Sequence, residues 1–402
     1  MRGSPKFDTL IALTVLFLLI FGLIMITSIG VPKSIALSAP NVEYPDCSAD
    51  GVDCYLLFKN HLLRLGVALI AFMVALKMPM KFWKKISAPL FFGIIILLLL
   101  VLVIGSSHGT IATNWLTVFN TSLQPSEFAK LALIFYLAKW FTVKEDSVES
   151  FADGFVPFCI ICGAVGLPIV LGNDFGTVVV LAITGTVIYV LAGARFKHLM
   201  LGVFIAMMVS IVIVTAIPHV RERFQGFSRI NEECLEDYCW QSQQANIAVG
   251  SGGFFGKGLT QGVQKSYWLP QASDDFIFAA SAEELGFIRI IFVVLAYLVL
   301  AVRGFIVASK AENQFEMYVA AGITTWIVMQ AFVNIAVNIA IMPVTGITLP
   351  FVSYGGSSLV ACLMGIGILL NISQNTTYYA NSFYRRGNRG PRFTQYSRYR
   401  RA

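Results

Sequence analysis

The chain reads as an all-α polytopic membrane protein with about ten transmembrane helices, both termini cytoplasmic, and a large external loop between helices 7 and 8. Three observations predict this. Of the 402 residues, 57% are hydrophobic and 13% charged, whereas a soluble globular chain is charged at about a quarter of its positions. That much apolar surface cannot close over one aqueous core, so lipid must solvate part of it. Apolar segments of near-spanning length recur at 9–30, 61–77, 87–105, 125–142, 154–171, 175–193, 198–217, 276–302, 316–341 and 356–374. Lysine and arginine favour alternate loops, which fixes the orientation.

The first segment is too long for a signal-peptide core, and its candidate cleavage site Leu37-Ser38-Ala39 precedes Pro40, so it reads as a retained helix. With residues 1–8 inside, the internal loops hold Lys77, Lys81, Lys84, Lys85, Lys139, Lys144, Arg195, Lys197, Arg303 and Lys310. A basic tail over 375–402, with seven arginines from Arg385 to Arg401, lies on the same side. The net charge of +7 thus belongs beside anionic lipid rather than on nucleic acid. The membrane domain is 9–374, without internal repeat or separate soluble domain. Segment 154–171 contains Pro157 and Pro168, which neighbouring helices can accommodate.

Two external loops are long, 31–60 and 218–275, and long structured loops are usually functional. Each carries a cysteine pair, Cys47 with Cys54 and Cys234 with Cys239, and two short disulfides are expected on the oxidising side. Cys159, Cys162 and Cys362 lie inside apolar segments and read as small hydrophobes. No second ligand pair accompanies Cys159-x-x-Cys162, which argues against a metal or redox site there.

Ionisable groups at membrane depth are costly, so each needs a reason. Asn114-Trp115 precedes Gln124-Pro125-Ser126-Glu127, where Pro125 and Ser126 suit a helix start and Glu127 suits the first turn. Glu127 and Lys130 share a helix face, either as a self-neutralising ion pair or as a polar cavity wall where Lys130 meets an anion. Asp174, before Phe175-Gly176-Thr177, is a plain N-cap or a site residue. A glycine-rich run, Ser251 to Gly258, leads through Lys257, Val263-Gln264-Lys265 and Leu269-Pro270 to Ser273-Asp274-Asp275-Phe276-Ile277-Phe278 and then Glu283-Glu284-Leu285-Gly286. Glycines let backbone approach a ligand, and their amides can meet phosphate. Asp275 stands where the external loop becomes a helix, at the level of a lipid-linked headgroup. Asn334, Asn338 and the stretch Met342 to Ser358, with Pro343, Pro350, Ser353 and Ser357, predict an ordered re-entrant loop.

Together Gln124-Pro125-Ser126-Glu127, Asp174-Phe175-Gly176-Thr177, the glycine-rich run through Glu283-Glu284-Leu285-Gly286, and Pro343 through Ser358 resemble the SEDS family (shape, elongation, division and sporulation). The resemblance covers nearly all of the membrane portion, in order. Val263-Gln264-Lys265 before Leu269-Pro270 resembles the division and sporulation members more than the elongation member. It implies a ten-helix fold and inverting glycosyl transfer from lipid II at the outer face of the bacterial cytoplasmic membrane, with undecaprenyl diphosphate as the leaving group. It also implies a class B penicillin-binding protein (a transpeptidase) and other division proteins as partners. The family's essential aspartate falls on Asp275, and Trp115, Glu127, Lys130 and Asp174 fall on cavity positions.

Three departures bear on phosphate binding. Asn114 stands where the family usually has arginine. Ser273-Asp274 replaces the usual His-Thr, making Asp274 a second carboxylate beside Asp275. The basic residue usual at the start of the second helix is not obvious, although His61 and Arg64 are close, and Arg221, Arg223, Lys257 or Lys265 could supply the missing charge. Ser353, Ser357 and Glu284 are further candidates. No tightly bound cofactor is expected, although a leaving diphosphate calls for cations, from the protein or as Mg or Mn. Two rival readings stand beside this one: a lipid II flippase that uses buried Glu127, Lys130 and Asp174 as a polar path, and a scaffold whose helices mainly hold the transpeptidase.

Overall fold

The computed structural model describes residues 7–39, 47–48, 51–105, 114–118, 121–228 and 237–387. Every predicted apolar segment coincides with helix: α1 (Thr9–Ile29), α3 (Leu56–Lys77), α4 (Met80–Ile104), α5 (Pro125–Val143), α6 (Val156–Leu171), α7 (Phe175–Leu191), α8 (Phe196–Ala216), α12 (Phe287–Ser309), α13 (Gln314–Asn338) and α14 (Gly356–Gly387). Among the described residues eight helices are long and apolar enough to cross a membrane, and α7 is a shorter apolar one. Helix α5 carries Glu127, Lys130 and Lys139 within nineteen residues. The chain is a multi-pass membrane protein.

Shorter elements join these. They are α2 (Val31–Ser38), α9 (Pro218–Ser228), α10 (Asp237–Gly252), α11 (Ile277–Leu285) and an antiparallel hairpin of β1 (Leu116–Val118) and β2 (Thr121–Leu123). That hairpin is the departure from an all-α fold among the described residues.

Local chemistry sets the helix starts. The Asp8 carboxylate accepts from the Leu10 and Ile11 amides at the head of α1 and pairs with Arg303 at 2.5 Å, fastening α1 to α12. Asn313 accepts from the Glu316 amide at the head of α13. Helices α13 and α14 form the centre: 78% and 83% of their spanning windows are buried, against none of α8. Helix α14 lies along α3, and Gly367 permits the contact, since a Cβ there would stand 2.6 Å from the Phe72 carbonyl oxygen.

One predicted span needs correcting. The run 276–302 is two helices, α11 and α12, broken at Gly286, whose φ is +75°. There the glycine-rich run crosses the helix break, with an added Cβ on Gly286 only 2.2 Å from the Gly256 nitrogen. Residues 277–284 of α11 are all buried, so their apolarity answers to protein packing, and the spanning helix starts at Phe287. The predicted loops are also more ordered than loops, holding α2 in the first and α9 and α10 in the second. Helix α14 runs past the predicted tail boundary to Gly387, and residues 388–402 lie outside the described residues.

Candidate active site

The re-entrant stretch between α13 and α14 organises the site. Its Gly346 has a φ of +72°, and a Cβ there would lie 3.8 Å from Asp275 Oδ2. Its Ile347 and Thr345 press on Gly176 at the start of α7, where an added Cβ would be 2.6 Å from Ile347 Cγ1. Asp274 and Asp275 on the loop before α11, and Asp174 at the head of α7, thereby face one region from two segments.

The backbone carrying the two aspartates is fixed carbonyl by carbonyl. The Ser273 oxygen accepts from the Tyr354 amide at 3.0 Å. The Asp274 oxygen accepts from Ser353 Oγ at 2.5 Å, and the Asp275 oxygen accepts from Asn334 and Asn338 Nδ2 at 2.7 and 2.9 Å. The Asp275 carboxyl is left partly exposed toward Gly346. Burial, then the charge of Asp274, hold it up at about 7; Asp174 pushes the same way, while Lys33 and Arg223 oppose them. Asp274 forms an ion pair with Lys33 of α2, and burial pushes its carboxyl above the usual range.

Beside the aspartates stand cations and an aromatic ring. The Arg64 guanidinium lies 4.6 Å from the Tyr354 ring centroid and Lys33 Nζ 5.8 Å from it. His61 is buried with its ring 5.9 Å from Tyr354, and its Nδ1 has no partner among the described residues.

A second polar tier is closed on itself. Lys130, 1% exposed, donates to Glu127 at 2.7 Å and to Gln330 Oε1 at 2.8 Å, over the Trp326 ring. Gln330 Oε1 also accepts from Trp326 Nε1, and Gln330 Nε2 donates to the Thr348 carbonyl at 3.1 Å. Asp174 caps α7 by accepting from the Thr177 amide at 3.0 Å, and also accepts from Gln124 Nε2 and Ser126 Oγ, each at 3.3 Å. Glu127 thus forms the ion pair with Lys130, and one of its oxygens stays without a partner among the described residues, as do Ser273 Oγ and Thr345 Oγ1.

Several predicted ligand residues have other tasks. Lys257 pairs with buried Glu283 at 2.7 Å, and Lys265 with buried Glu284 at 2.6 Å. Glu283 also accepts from the Val263 and Gln264 amides, and Glu284 from Ser28 Oγ and the Thr260 amide. These two pairs pin the glycine-rich loop onto α11 and α1. Ser353 holds the Asp274 carbonyl, and Ser357 Oγ accepts from the Gln124 amide at 3.0 Å. Buried Asn114 packs against Gly172, with Trp115 opening the hairpin at the same end as Asp174. Of the other proposed cations, Arg221 is exposed, whereas Arg223 acts on Asp275. Cys47 and Cys54 are joined, their Cα atoms 5.8 Å apart, while Cys234 of the second expected pair lies outside the described residues. Cys159, Cys162 and Cys362 are free.

Lys33, Trp326 and Gln330 join the site without standing among the candidates in the sequence, and Tyr354 stands there only as part of the re-entrant stretch. Gln330 carried a signal, an amide deep in an apolar run, four residues after a tryptophan. Lys33 carried none beyond its charge.

With this geometry, the chain matches the cell cycle protein family of FtsW, RodA and SpoVE over residues 8–378. It is 37% identical over 380 residues to stage V sporulation protein E of Bacillus subtilis (strain 168), covering 94% of this chain and 99% of that one. It is 33% identical over 375 residues to the probable peptidoglycan glycosyltransferase FtsW of Geobacter sp. (strain M18), covering 93% and 98%. A chain solved in a peptidoglycan synthase complex that coordinates polymerization and crosslinking superimposes with a TM-score of 0.72 at 23% identity, covering 92% of this chain and 98% of that one. The rod shape determining protein RodA of Thermus thermophilus gives 0.65 at 22% identity over the same shares. The last two likenesses establish the fold.

Proposed function

The chain belongs to the FtsW, RodA and SpoVE family and is a peptidoglycan glycosyltransferase, and we propose that it polymerises lipid II at the outer face of the bacterial cytoplasmic membrane with Asp275 as general base. The observation that carries this is a carboxyl held near neutrality on an immobilised backbone, at the mouth of a polar site lined by Asp174, Arg64 and Lys33.

Chain growth joins the 4-hydroxyl of one lipid-linked sugar to the anomeric carbon of another. The hydroxyl is a poor nucleophile, so its proton passes to Asp275 as the new C–O bond forms and the bond to the lipid diphosphate breaks. Direct displacement inverts the anomeric centre and needs no covalent sugar–enzyme intermediate. Undecaprenyl diphosphate departs with concentrated negative charge, and Arg64, Lys33 and Arg223 are the cations nearest the aspartates to receive it. Among the described residues no group of three or more His, Cys, Asp or Glu stands together to hold a metal.

Ten crossings with both termini cytoplasmic belong to the same proposal, since that topology would put the aspartates on the side where lipid II is consumed; eight spanning helices and the shorter α7 among the described residues support it. A class B penicillin-binding protein is the expected partner, as the strands need cross-linking. The test is Asp275→Asn in the full chain, reconstituted with lipid II and with and without that transpeptidase. The variant inserts and folds but yields no glycan. Polymer at the wild-type level removes Asp275 from the base role, and lipid II movement across the bilayer without polymer favours a flippase.

A further inference from the structure

We propose that Lys33, on α2 of the first long loop, is a positioning residue for polymerisation, holding Asp274 and thereby setting the charge and placement of Asp275. The proposal rests on Asp275 being the base.

Lys33 reaches the aspartates because α2 is strapped down on both sides. Ser34 Oγ accepts from the Leu57 amide at 3.1 Å and Ser38 Oγ from the Asp53 amide at 3.0 Å, which ties α2 to the start of α3. The Cys47–Cys54 disulfide closes the segment between those two helices. On the other side, Tyr267 Oη donates to the Pro32 carbonyl at 3.4 Å, and Lys265 Nζ donates to the Ser28 carbonyl at 3.2 Å, at the end of α1 from which α2 continues. From that platform Lys33 pairs with Asp274, with Gln271 Oε1 3.5 Å from its ammonium. The neighbouring peptide is held by Ser353 and α13, so the pair acts on a carboxylate one residue from the base rather than on a loose loop.

The groups facing Asp275 come from every side. Asp274 is on its own loop, Lys33 on α2, Asp174 at the head of α7 and Arg223 on α9, while α13 offers only amides, and Arg64 of α3 acts on Asp274. Two like charges beside a base keep it protonated, and a cation beside them releases it. Lys33 neutralises the nearer of the two. The arrangement leaves a charge balance that an incoming diphosphate can disturb, since Lys33 and Arg64 share the Tyr354 face.

The full chain in proteoliposomes with its transpeptidase, fed lipid II across pH 5 to 9, gives the decisive measurement. Removing the cation in Lys33→Gln moves the acid limb of the rate profile up by about one pH unit, and removing the anion in Asp274→Asn moves it down by a similar amount. Lys33→Arg restores the wild-type limb, and Lys33→Gln/Asp274→Asn falls between the single variants. A purely structural role predicts lower rates at every pH with an unmoved limb, and that result overturns the proposal. Unfolded variants are recognised by their thermal transitions, and Lys33→Arg then decides. If Asp275→Asn retains activity, the base assignment itself fails, an outcome separate from an unmoved limb in an enzyme that needs Asp275.

Discussion

Replacing Glu284 by glutamine tests whether the glycine-rich loop is held by internal ion pairs or kept open for phosphate. Glu284 has no exposed surface and receives Lys265 Nζ at 2.6 Å, Ser28 Oγ at 2.7 Å and the Thr260 amide at 3.2 Å. A glutamine presents an NH₂ group to one of these donors and leaves the Lys265 charge unmatched, with 8% of its side chain exposed. Breaking one partner of a buried pair costs about 3–5 kcal/mol, and each 1.4 kcal/mol is about tenfold in an equilibrium. Local opening of the loop should therefore rise by about 100-fold or more, unless the whole protein unfolds first. Hydrogen exchange of a peptide covering 257–268, in nanodiscs, reads this directly through the Thr260, Val263 and Gln264 amides. The variant Glu284→Leu/Lys265→Met separates the two roles, because well-packed apolar replacements of a buried pair are often neutral. As a strut the double variant regains protection and polymerises lipid II. A double variant that is protected but inactive makes Lys265 a phosphate ligand and refutes the reasoning, as does unchanged exchange in Glu284→Gln.

Four further outcomes follow from the site. Polymerisation should rise as pH climbs through about 7, where Asp275 loses its proton. That carboxyl is raised from 3.8 on folding, so the folded state loses stability between those values as pH rises, and Asp275→Asn should melt above the wild type at pH 8 but not at pH 4. Gly176→Ala drives a Cβ to within 2.6 Å of Ile347 Cγ1 and crowds the Ile347 and Thr345 side chains beside Gly346, costing about 1–3 kcal/mol; glycan yield and thermal midpoint should fall together. Lys130→Met strands buried Glu127, lowering stability by about 3–5 kcal/mol, and adding Glu127→Gln should restore the midpoint in a thermal scan.

Most of the architecture was legible because lipid enforces it: a spanning helix must be apolar for most of its length, and all ten runs landed on helices. The failure at 276–302 has the same root. Hydropathy reports that a residue avoids water, not whether lipid or protein surrounds it, so buried α11 looked like the start of a span. Within the site, contacts local in sequence could be read. Glu127 and Lys130 sit three residues apart on α5, and Asp174 announced its cap by preceding a helix. Contacts across helices could not. Gln330 meets Lys130 from 200 positions away, and nothing in either segment names the other. Lys257 and Lys265 illustrate the same limit: a lysine beside glycines suggests a phosphate ligand, and its pairing with Glu283 or Glu284 is not legible locally, although both glutamates were already visible in the chain.

The distribution of free and committed polar groups carries the mechanism one step further. The carbonyls of Ser273, Asp274 and Asp275 are each claimed by the re-entrant stretch or by α13, and Asn334 also binds the Ile347 carbonyl at 2.7 Å. One amide thus ties the loop carrying the base to the loop facing it, and Asn338 repeats the tie to Asp275. A weak nucleophile gains most from being met in the right place, since misplacement by about 1 Å can cost about 100-fold. The rigid backbone meets that need, while the charge around the carboxyl stays divided between Asp174 and Asp274 on one side and Lys33 and Arg223 on the other. Position is fixed by hydrogen bonds that substrate cannot reach, and proton affinity is set by charges that an arriving diphosphate can shift. Asn334→Ala should consequently slow polymerisation without moving the acid limb of its pH profile, the reverse of what changing Lys33 does.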